Sequence, residues 1–377
     1  MIHHKPTPTS DKQTEAKADV IKLGIDVHKR EYVVVQQVDA QAPKAPQKFT
    51  PDAFLRYVGK LKSSTERMVT CYEAGCFGYV LHRRLEIMGI ENLVVRPRNW
   101  DEYGNRVKTD ARDAKELCSH LDRYLAGNTS ALAVVRVPTE AEERSRSLSR
   151  QRDTLAKEVK RLQAVGVGNA RYYGVELSQS WWKPRPFKAL KEELCEFLLE
   201  LLQPLQSVLV GINEKLKEMT EREELKSKRV IPIGLGALSA SILDEEFCDY
   251  TRFKNRKQVS SFTGLCPSEA SSGGTRRQGS INKHGNPRIR RTLVEAVWRL
   301  LLYQPDYAVI QHWKQRMCNE PFGRAKKKKM IIAIARRFAV DWWRINTGQI
   351  TAEQLGLKTS YPASLLKRLP AEAFEMS

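Results

Sequence analysis

Four carboxylates set in three short patterns carry the chemistry this chain could do. Asp26 lies in Gly24-Ile25-Asp26-Val27-His28-Lys29, and Glu73 in Cys71-Tyr72-Glu73-Ala74-Gly75. Asp110 and Asp113 share Lys108-Thr109-Asp110-Ala111-Arg112-Asp113-Ala114. Asp110 and Asp113 are three residues apart, so a helix puts both on one face. Oxygen donors gathered from separate chain positions are what Mg²⁺ takes, with Mn²⁺ as a substitute. Two such ions about 4 Å apart can activate an attacking group and stabilise a leaving oxygen in an in-line displacement at phosphorus. Each acid alone reads as a surface carboxylate. Together, in a basic chain, they point to a metal site acting on phosphodiesters. His28 follows the first acid and reads as a turn or phosphate-facing residue, not as a ligand.

A second constellation runs from Glu269 to Asn286 and contains Ser271-Ser272-Gly273-Gly274-Thr275-Arg276-Arg277. This composition suits an exposed loop against a phosphate. Its hydroxyls could hydrogen-bond a phosphodiester, or one could attack phosphorus as a covalent nucleophile; composition alone favours binding. Further candidate nucleic-acid contacts are Lys29 and Lys108 beside the acids, then Lys283, Arg290, Arg291 and the run Lys326, Lys327, Lys328 and Lys329. Gly234 and Gly236, in Ile231-Pro232-Ile233-Gly234-Leu235-Gly236, resemble the turn of helix-hairpin-helix binders, where glycines let backbone N–H groups approach a phosphate. Trp342 and Trp343 read as core.

The acids need strands and a helix to hold them. Residues 19–38 read as a strand, a tight turn and a second strand, with a short third strand at 47–50. Pro51 opens a helix, Arg67 to Tyr72 is a strand ending at Glu73, Tyr79 to Met88 is a helix, and Leu93 to Val95 is a strand. Thr109 to Leu125 reads as a helix with Thr109 as its N-cap. This order suits a mixed sheet flanked by helices, as in ribonuclease-H-like domains. Residues 139–164 and 187–224 carry apolar residues at helical spacing, with turn-rich 165–186 between them, and predict a long antiparallel helical hairpin. The expected layout is a disordered extension over 1–18, an α/β domain over 19–135 and a helical coiled-coil linker over 136–228. A mostly α domain over 229–350 and a tail over 351–377 follow.

The chain has 377 residues and a formal net charge of +20, with a pI near 9.7. The charge is uneven: residues 251–340 hold 20 Lys and Arg against 4 Asp and Glu, a difference of +16. That pattern predicts a polyanionic partner. Seven cysteines without a CxxC pair predict reduced thiols in a cytosolic protein, not a disulfide framework or a zinc site. No stretch is apolar and long enough to span a bilayer.

Read in order, the motifs resemble the DEDD transposases of the insertion-sequence "one-ten" family, most closely its "eleven-eleven" branch. The resemblance rests on Gly24 to Lys29, Tyr72-Glu73-Ala74, Leu81 to Leu85, Arg106 to Ala114 and Ile231 to Gly236. It continues through Phe262 to Glu269, Ser271 to Gly274, Lys283 to Asn286, and Arg290-Arg291. It implies a RuvC-like domain whose acids Asp26, Glu73, Asp110 and Asp113 bind Mg²⁺. It implies a coiled-coil linker used in assembly as a dimer or tetramer, and a C-terminal transposase domain with a nucleophilic serine. The family pattern of a Pro, four variable residues and Ser-Gly, counted from Pro267, lands on Ser272; Ser271 is its neighbour. The resemblance further implies a phosphoserine link to DNA with a free 3′-hydroxyl, a composite site formed by both domains across subunits, and a structured noncoding bridge RNA that pairs with donor and target DNA. It places the protein in a prokaryotic cytoplasm. Asn282 stands where a Thr is more usual, and 98–105 lacks an expected second proline. The extension before Ala18 has no counterpart. Two other functions fit the residues before the resemblance is weighed: a metal-dependent nuclease of the Holliday-junction resolvase type, without a covalent intermediate, and a non-catalytic nucleic-acid binder.

Overall fold

The computed structural model describes residues 18–97, 109–226, 230–269, 278–318 and 323–361, with the backbone alone at 223–226 and 317–318. Lys108, Ser271, Ser272, Arg276 and Arg277 lie outside the described residues, as do 98–105 and nearly all of the N-terminal extension. The chain divides into two compact units, Met1–Val137 and Pro138–Ser377. The first is mixed α/β and the second mostly helical.

In the first unit, β1 (Ala18–Val27) and β2 (Tyr32–Val38) form a hairpin, followed by β3 (Gln47–Phe49), α1 (Pro51–Lys62), β4 (Thr65–Glu73), α2 (Val80–Ile87), β5 (Glu91–Val95) and α3 (Asp110–Leu125). The sheet order is β3-β2-β1-β4-β5. β1 pairs antiparallel with β2 and parallel with β4, which pairs parallel with β5. The β-branched run Val33-Val34-Val35 suits a strand buried on both faces. One face packs Ile21, Ile25, Phe54, Tyr72 and Leu85 under α1 and α2. The other packs Val69, Cys71, Leu117 and Leu121, with Val33, Val35, Ala114 and Cys118, under α3. Thr50 caps α1 through its hydroxyl, which accepts from the N–H of Ala53.

α3 lies hard against β1 because residue 24 has no side chain. A Cβ there would sit 2.4 Å from both the Ala114 carbonyl oxygen and the Cys118 nitrogen, both backbone atoms. Thr109 occupies the N-cap position with extended backbone, as expected, yet its side chain makes no capping bond. Its carbonyl instead accepts from the N–H groups of Arg112 and Asp113.

The second unit opens with α4 (Glu140–Tyr172), whose capping box joins Thr139 and Glu142. α5 (Pro184–Glu193) and α6 (Glu196–Lys226) follow, and α6 packs along α4. The expected hairpin is present, but its turn begins later than the glycines suggest. α4 runs through Gly166 and Gly168 because the Trp181 ring occupies the space a Cβ at 166 would need, only 2.1 Å away. Trp181, Trp182, Phe187, Leu202 and Leu209 fill the hairpin's core.

Next come β6 (Ile231–Pro232), α7 (Ala237–Phe247), α8 (Arg256–Thr263), β7 (Pro267–Glu269), β8 (Gln278–Ile281), α9 (Pro287–Tyr303), α10 (Ala308–Cys318), α11 (Arg324–Asn346) and β9 (Thr359–Ser360). The lysine run lies in the first turns of α11, which starts at Arg324. Residues 351–361, set apart by sequence as the start of a tail, join this core: Leu355 and Leu357 are buried in it, and β9 pairs antiparallel with β6. The Ile231-Pro232 segment, read from sequence as part of a helix-hairpin-helix-like turn, is a short strand, β6. Trp342 and Trp343 are buried as expected, their indole N–H groups donating to the hydroxyl and carbonyl oxygen of Tyr250.

Candidate catalytic centre

Parallel strands β1 and β4 end side by side. Ile25 is in register with Tyr72, so Asp26 and Glu73 take the next position on each strand. α3, seated on Gly24, delivers Asp110 at its first residue and Asp113 one turn later. Negative side chains in a helix's first turn are favoured by its dipole, so this turn tolerates two acids.

The Asp26 carboxylate oxygen Oδ2 lies 3.1 Å from His28 Nε2, and the same nitrogen is 3.3 Å from Asp110 Oδ2. One ligand atom from each of Asp26, His28 and Asp110 falls within 4.8 Å of the others, the spacing of a metal-binding group. His28, read from sequence as a turn residue, sits between the two aspartates. Its place could not be read locally, since Asp110 arrives from the far end of the unit. Glu73 and Asp113 stand outside that group of three among the described residues. Asp113 is near enough to act on Asp26 electrostatically. Burial pushes the Asp26 carboxyl above its usual range, with Asp110 and Asp113 adding to the rise and His28 opposing it. A carboxylate held in this way gains most from a cation. Lys29 is exposed just past β1.

In the second unit, β7 and β8 pair antiparallel with Glu269 opposite Gln278, so the ends of the segment bearing Ser271 and Ser272 are held together. Behind this hairpin the chain makes a tight crossing: a Cβ on Gly285 would lie 2.2 Å from the Gly264 nitrogen. Lys283 adopts φ +58° there and is exposed. Two candidate phosphate contacts have internal partners. Arg290 donates to the carbonyls of Thr263 and Lys283, at 3.4 and 3.3 Å. Arg291 pairs with Asp153 at 2.8 Å.

Sequence reasoning passed over Arg288, in the first turn of α9. It donates to Asp153 (2.9 Å), Glu246 (3.2 Å), and the carbonyl and hydroxyl of Ser149 (2.9 and 2.6 Å). Glu246, 1% exposed at its side chain, also accepts from Arg150 at 3.0 Å and from Asn286 at 2.7 Å. Asn286 caps α9 with its other atom, accepting from the N–H groups of Arg288 and Ile289. Burial raises the Glu246 carboxyl, but Arg150, Asn286 and Arg288 more than offset this and hold it below its usual range. The network ties α4, α7 and the start of α9 together. Gly234 and Gly236 both have positive φ, +93° and +76°, in the turn that opens α7. Lys326, Lys327, Lys328 and Lys329 are exposed on the first turns of α11.

Among the described residues, no helix is long and apolar enough to cross a membrane. Residues 231–310 match the model of the transposase IS116/IS110/IS902 family. The chain is 30% identical to y4rJ of Sinorhizobium fredii, named as a transposase, over 77% of this chain and 80% of that protein. It is 26% identical to the transposase for insertion sequence element IS1533 of Leptospira borgpetersenii, over 74% of this chain and 85% of the other. It is 22% identical to the transposase for insertion sequence element IS1111A of Coxiella burnetii, over 90% and 93% of the two chains.

Proposed function

Since the chain belongs to the IS116/IS110/IS902 transposase family, we propose that it cuts, exchanges and rejoins DNA strands with a divalent metal held by its acids and a serine nucleophile. The observation that carries the reading is the convergence of Asp26, His28 and Asp110 at the ends of β1 and the start of α3. The sheet order and the antiparallel β2 support a RuvC-like fold for the first unit. The donors fit Mg²⁺ or Mn²⁺: carboxylate oxygens and one imidazole nitrogen, with Asp26 half-buried and its carboxyl raised by burial, Asp110 and Asp113 against the opposing effect of His28. Asp26, Asp110, Glu73 and Asp113 would hold the ion. When bound, it supplies Lewis-acid polarisation of a phosphoryl oxygen.

The chain's own part in the reaction is a displacement at phosphorus. The Ser272 hydroxyl loses its proton and its oxygen bonds to phosphorus. The bond to the 3′-oxygen breaks, and that oxygen leaves as a 3′-hydroxyl after taking up a proton. Attack by the 3′-hydroxyl of another strand reverses these bonds and frees the serine. The paired ends of β7 and β8 support this role by fixing the base of the serine segment. Arg276, Arg277 and Lys283 would bind the phosphate backbone. A structured bridge RNA would select donor and target DNA by base pairing, leaving the basic surface to hold backbones. The protein would act as a homo-oligomer, a dimer or tetramer.

The test is a covalent-trapping assay with donor and target DNA, RNA transcribed from the flanking element, and Mg²⁺, resolved on a denaturing gel. A protein–DNA adduct is expected from the native chain and from Ser271→Ala, and none from Ser272→Ala or Asp26→Ala. Cleavage without an adduct, surviving both serine changes, would overturn the covalent mechanism and leave a hydrolytic nuclease.

A further inference from the structure

At the carboxyl edge of the first unit's sheet is a cavity of about 60 Å³ that the acid centre does not use. Ligands of open α/β sheets bind at this edge of the parallel strands. Buried Tyr72 and half-buried Val27 and Tyr32 line its inner side. Arg84, Phe77 and Val80 line its outer side, and the last two are 43% and 55% exposed. Val27 follows Asp26 and Tyr72 precedes Glu73, so the cavity is one residue from both acids along the backbone. Side chains alternate along a strand. Val33, the partner of Asp26 in register, packs with Ala114 on the α3 side. Tyr32, the partner of Val27, packs edge-on against Phe54 of α1, with ring centres 5.6 Å apart. The acids and the cavity therefore open on opposite faces of one sheet edge. A water needs roughly 10–15 Å³ of such space, so the cavity has room for a single flat ring and not for a helix or a strand. Its surroundings are cationic. Lys29 and Arg30, in the turn after β1, and Arg84 on α2 are exposed, and none of the three has an ion pair among the described residues. Asp52, in the first turn of α1, is an acid on this side, while Glu31 is paired with Lys48 at 2.6 Å. An apolar slot for one ring, with cations outside it, suits a nucleobase whose phosphates stay in solvent.

We infer that this cavity takes one unstacked pyrimidine of the DNA strand whose phosphate lies at the acids, with the base against Phe77 and its phosphate toward Arg84. The inference rests on the proposed function: the strand at a phosphodiester-cleaving centre is the strand being cut, which for a transposase is DNA. Taking a base out of the stack is costly, and an aromatic pocket offsets that cost. A purine has two fused rings and overfills the space. The cavity would thus set which nucleotide beside the cut is accepted, while the acids act on the phosphate.

The experiment is the covalent-trapping assay on the full chain with donor DNA carrying one abasic site, moved a nucleotide at a time across the cut. Binding of the same DNAs is measured alongside. With the native chain, one position should lower the adduct rate ~10-fold, and a purine there should cost as much as the missing base. Val80→Trp, whose ring fills the cavity, should lower the rate on intact DNA by a similar factor. It should then respond less than about twofold to the abasic site at that position. Phe77→Ala should behave in the same way. Both residues are exposed, so native melting temperature and Mn²⁺ affinity are expected in both variants. No sensitive position in the native chain, or equal sensitivity in native chain and variants, overturns the inference. So does a variant that loses affinity for the transcribed RNA and not for DNA, which gives the cavity to the RNA. A change in sedimentation with the DNA reaction unchanged overturns it too, by making the cavity a contact between copies. A native chain that binds DNA and forms no adduct sinks the proposed serine mechanism alone. The binding measurements then decide on the cavity, since Val80→Trp must abolish the dependence on that one position.

Discussion

The acids of the first unit and the strands that flank the serine segment of the second are held by opposite means. The acids sit at the ends of strands packed on both faces and on a helix pressed against a backbone glycine, so apolar packing and close approach fix them. The strands that flank the serine segment make only a short two-stranded pairing, and elsewhere in this unit Arg288, Glu246, Asp153 and Asn286 form one hydrogen-bonded group. Packing of the first kind is tolerant of pH and salt. A charged anchor of the second kind is strong only while each partner is present and ionised. The two chemical groups of one proposed reaction are therefore exposed to different kinds of damage.

The largest effect expected is on the acids. Asp26→Asn should lower strand cleavage at least ~1000-fold, and chelation of divalent metal should do the same to the native chain. Its metal-free stability should move the other way. Burial and neighbouring carboxylates raise the Asp26 carboxyl, so its protonated form is the favoured one in the fold, and that stabilisation is lost as pH rises through the raised value. At neutral pH, Asp26→Asn should therefore melt higher than the native chain without metal. A lower melting temperature would mean that the aspartate is structural, and the contrast between the two regions would fail.

Next comes the polar anchor. Arg288→Met leaves Glu246 buried with fewer partners and should cost about 3–5 kcal/mol of stability in the second unit, read by thermal or urea unfolding. Glu246 is held below its usual range by Arg150, Asn286 and Arg288 against the opposing effect of burial. Its contribution is present above the unfolded value of 4.5 and is lost as pH falls through the lower folded value. Acid should accordingly unfold the native second unit more readily than it unfolds a Glu246→Gln, Arg288→Met double variant, measured relative to each protein's stability at neutral pH.

Gly24→Ala is smaller in free energy and sharper as a probe. The added methyl meets backbone atoms of α3, so the helix must shift, at a cost of about 1–3 kcal/mol. The shift carries Asp110 away from Asp26, so metal affinity should drop together with stability. A variant that loses stability and keeps native metal binding would separate the helix's packing from its role in the site.

The smallest effect is at His28. His28→Gln should weaken Mn²⁺ binding ~10-fold with a lesser effect on Mg²⁺, since an imidazole nitrogen suits the softer ion better. Titration calorimetry with both ions reads this directly, and unchanged affinities would leave His28 as a placeholder between two carboxylates.

The positions of Asp26 and Glu73 at strand ends and of Asp110 and Asp113 on one helix were legible because their signals are local. Strand runs such as Val33-Val34-Val35 and acids at strand ends need no distant partner to be recognised. His28 lies in the β1–β2 turn as read, but its place between two aspartates depends on Asp110, over eighty positions away in sequence. Gly166 and Gly168 read as a turn because glycine lowers helix propensity, yet Trp181 fills the space at 166 and the helix continues. Arg288 looked like one basic residue among many; only the fold brings α4 and α7 to it. Residues 351–361 looked like a tail because their core contacts, Leu355 and Leu357, are two isolated leucines without a periodic pattern. Across these cases, the sequence hides whatever is decided by a residue's long-range neighbour.

The helix α4, tied to α7 through Arg150 and turning back after Tyr172, has a fixed reach. The about 22 residues between those points span roughly 33 Å at 1.5 Å each, close to one turn of duplex DNA at about 3.4 Å per base pair. Removing one heptad from α4 and its partner heptad from α6 would retract the tip by roughly 10 Å, about three base pairs. The reach of the hairpin is thus written into its length and is adjustable in steps of whole helical turns.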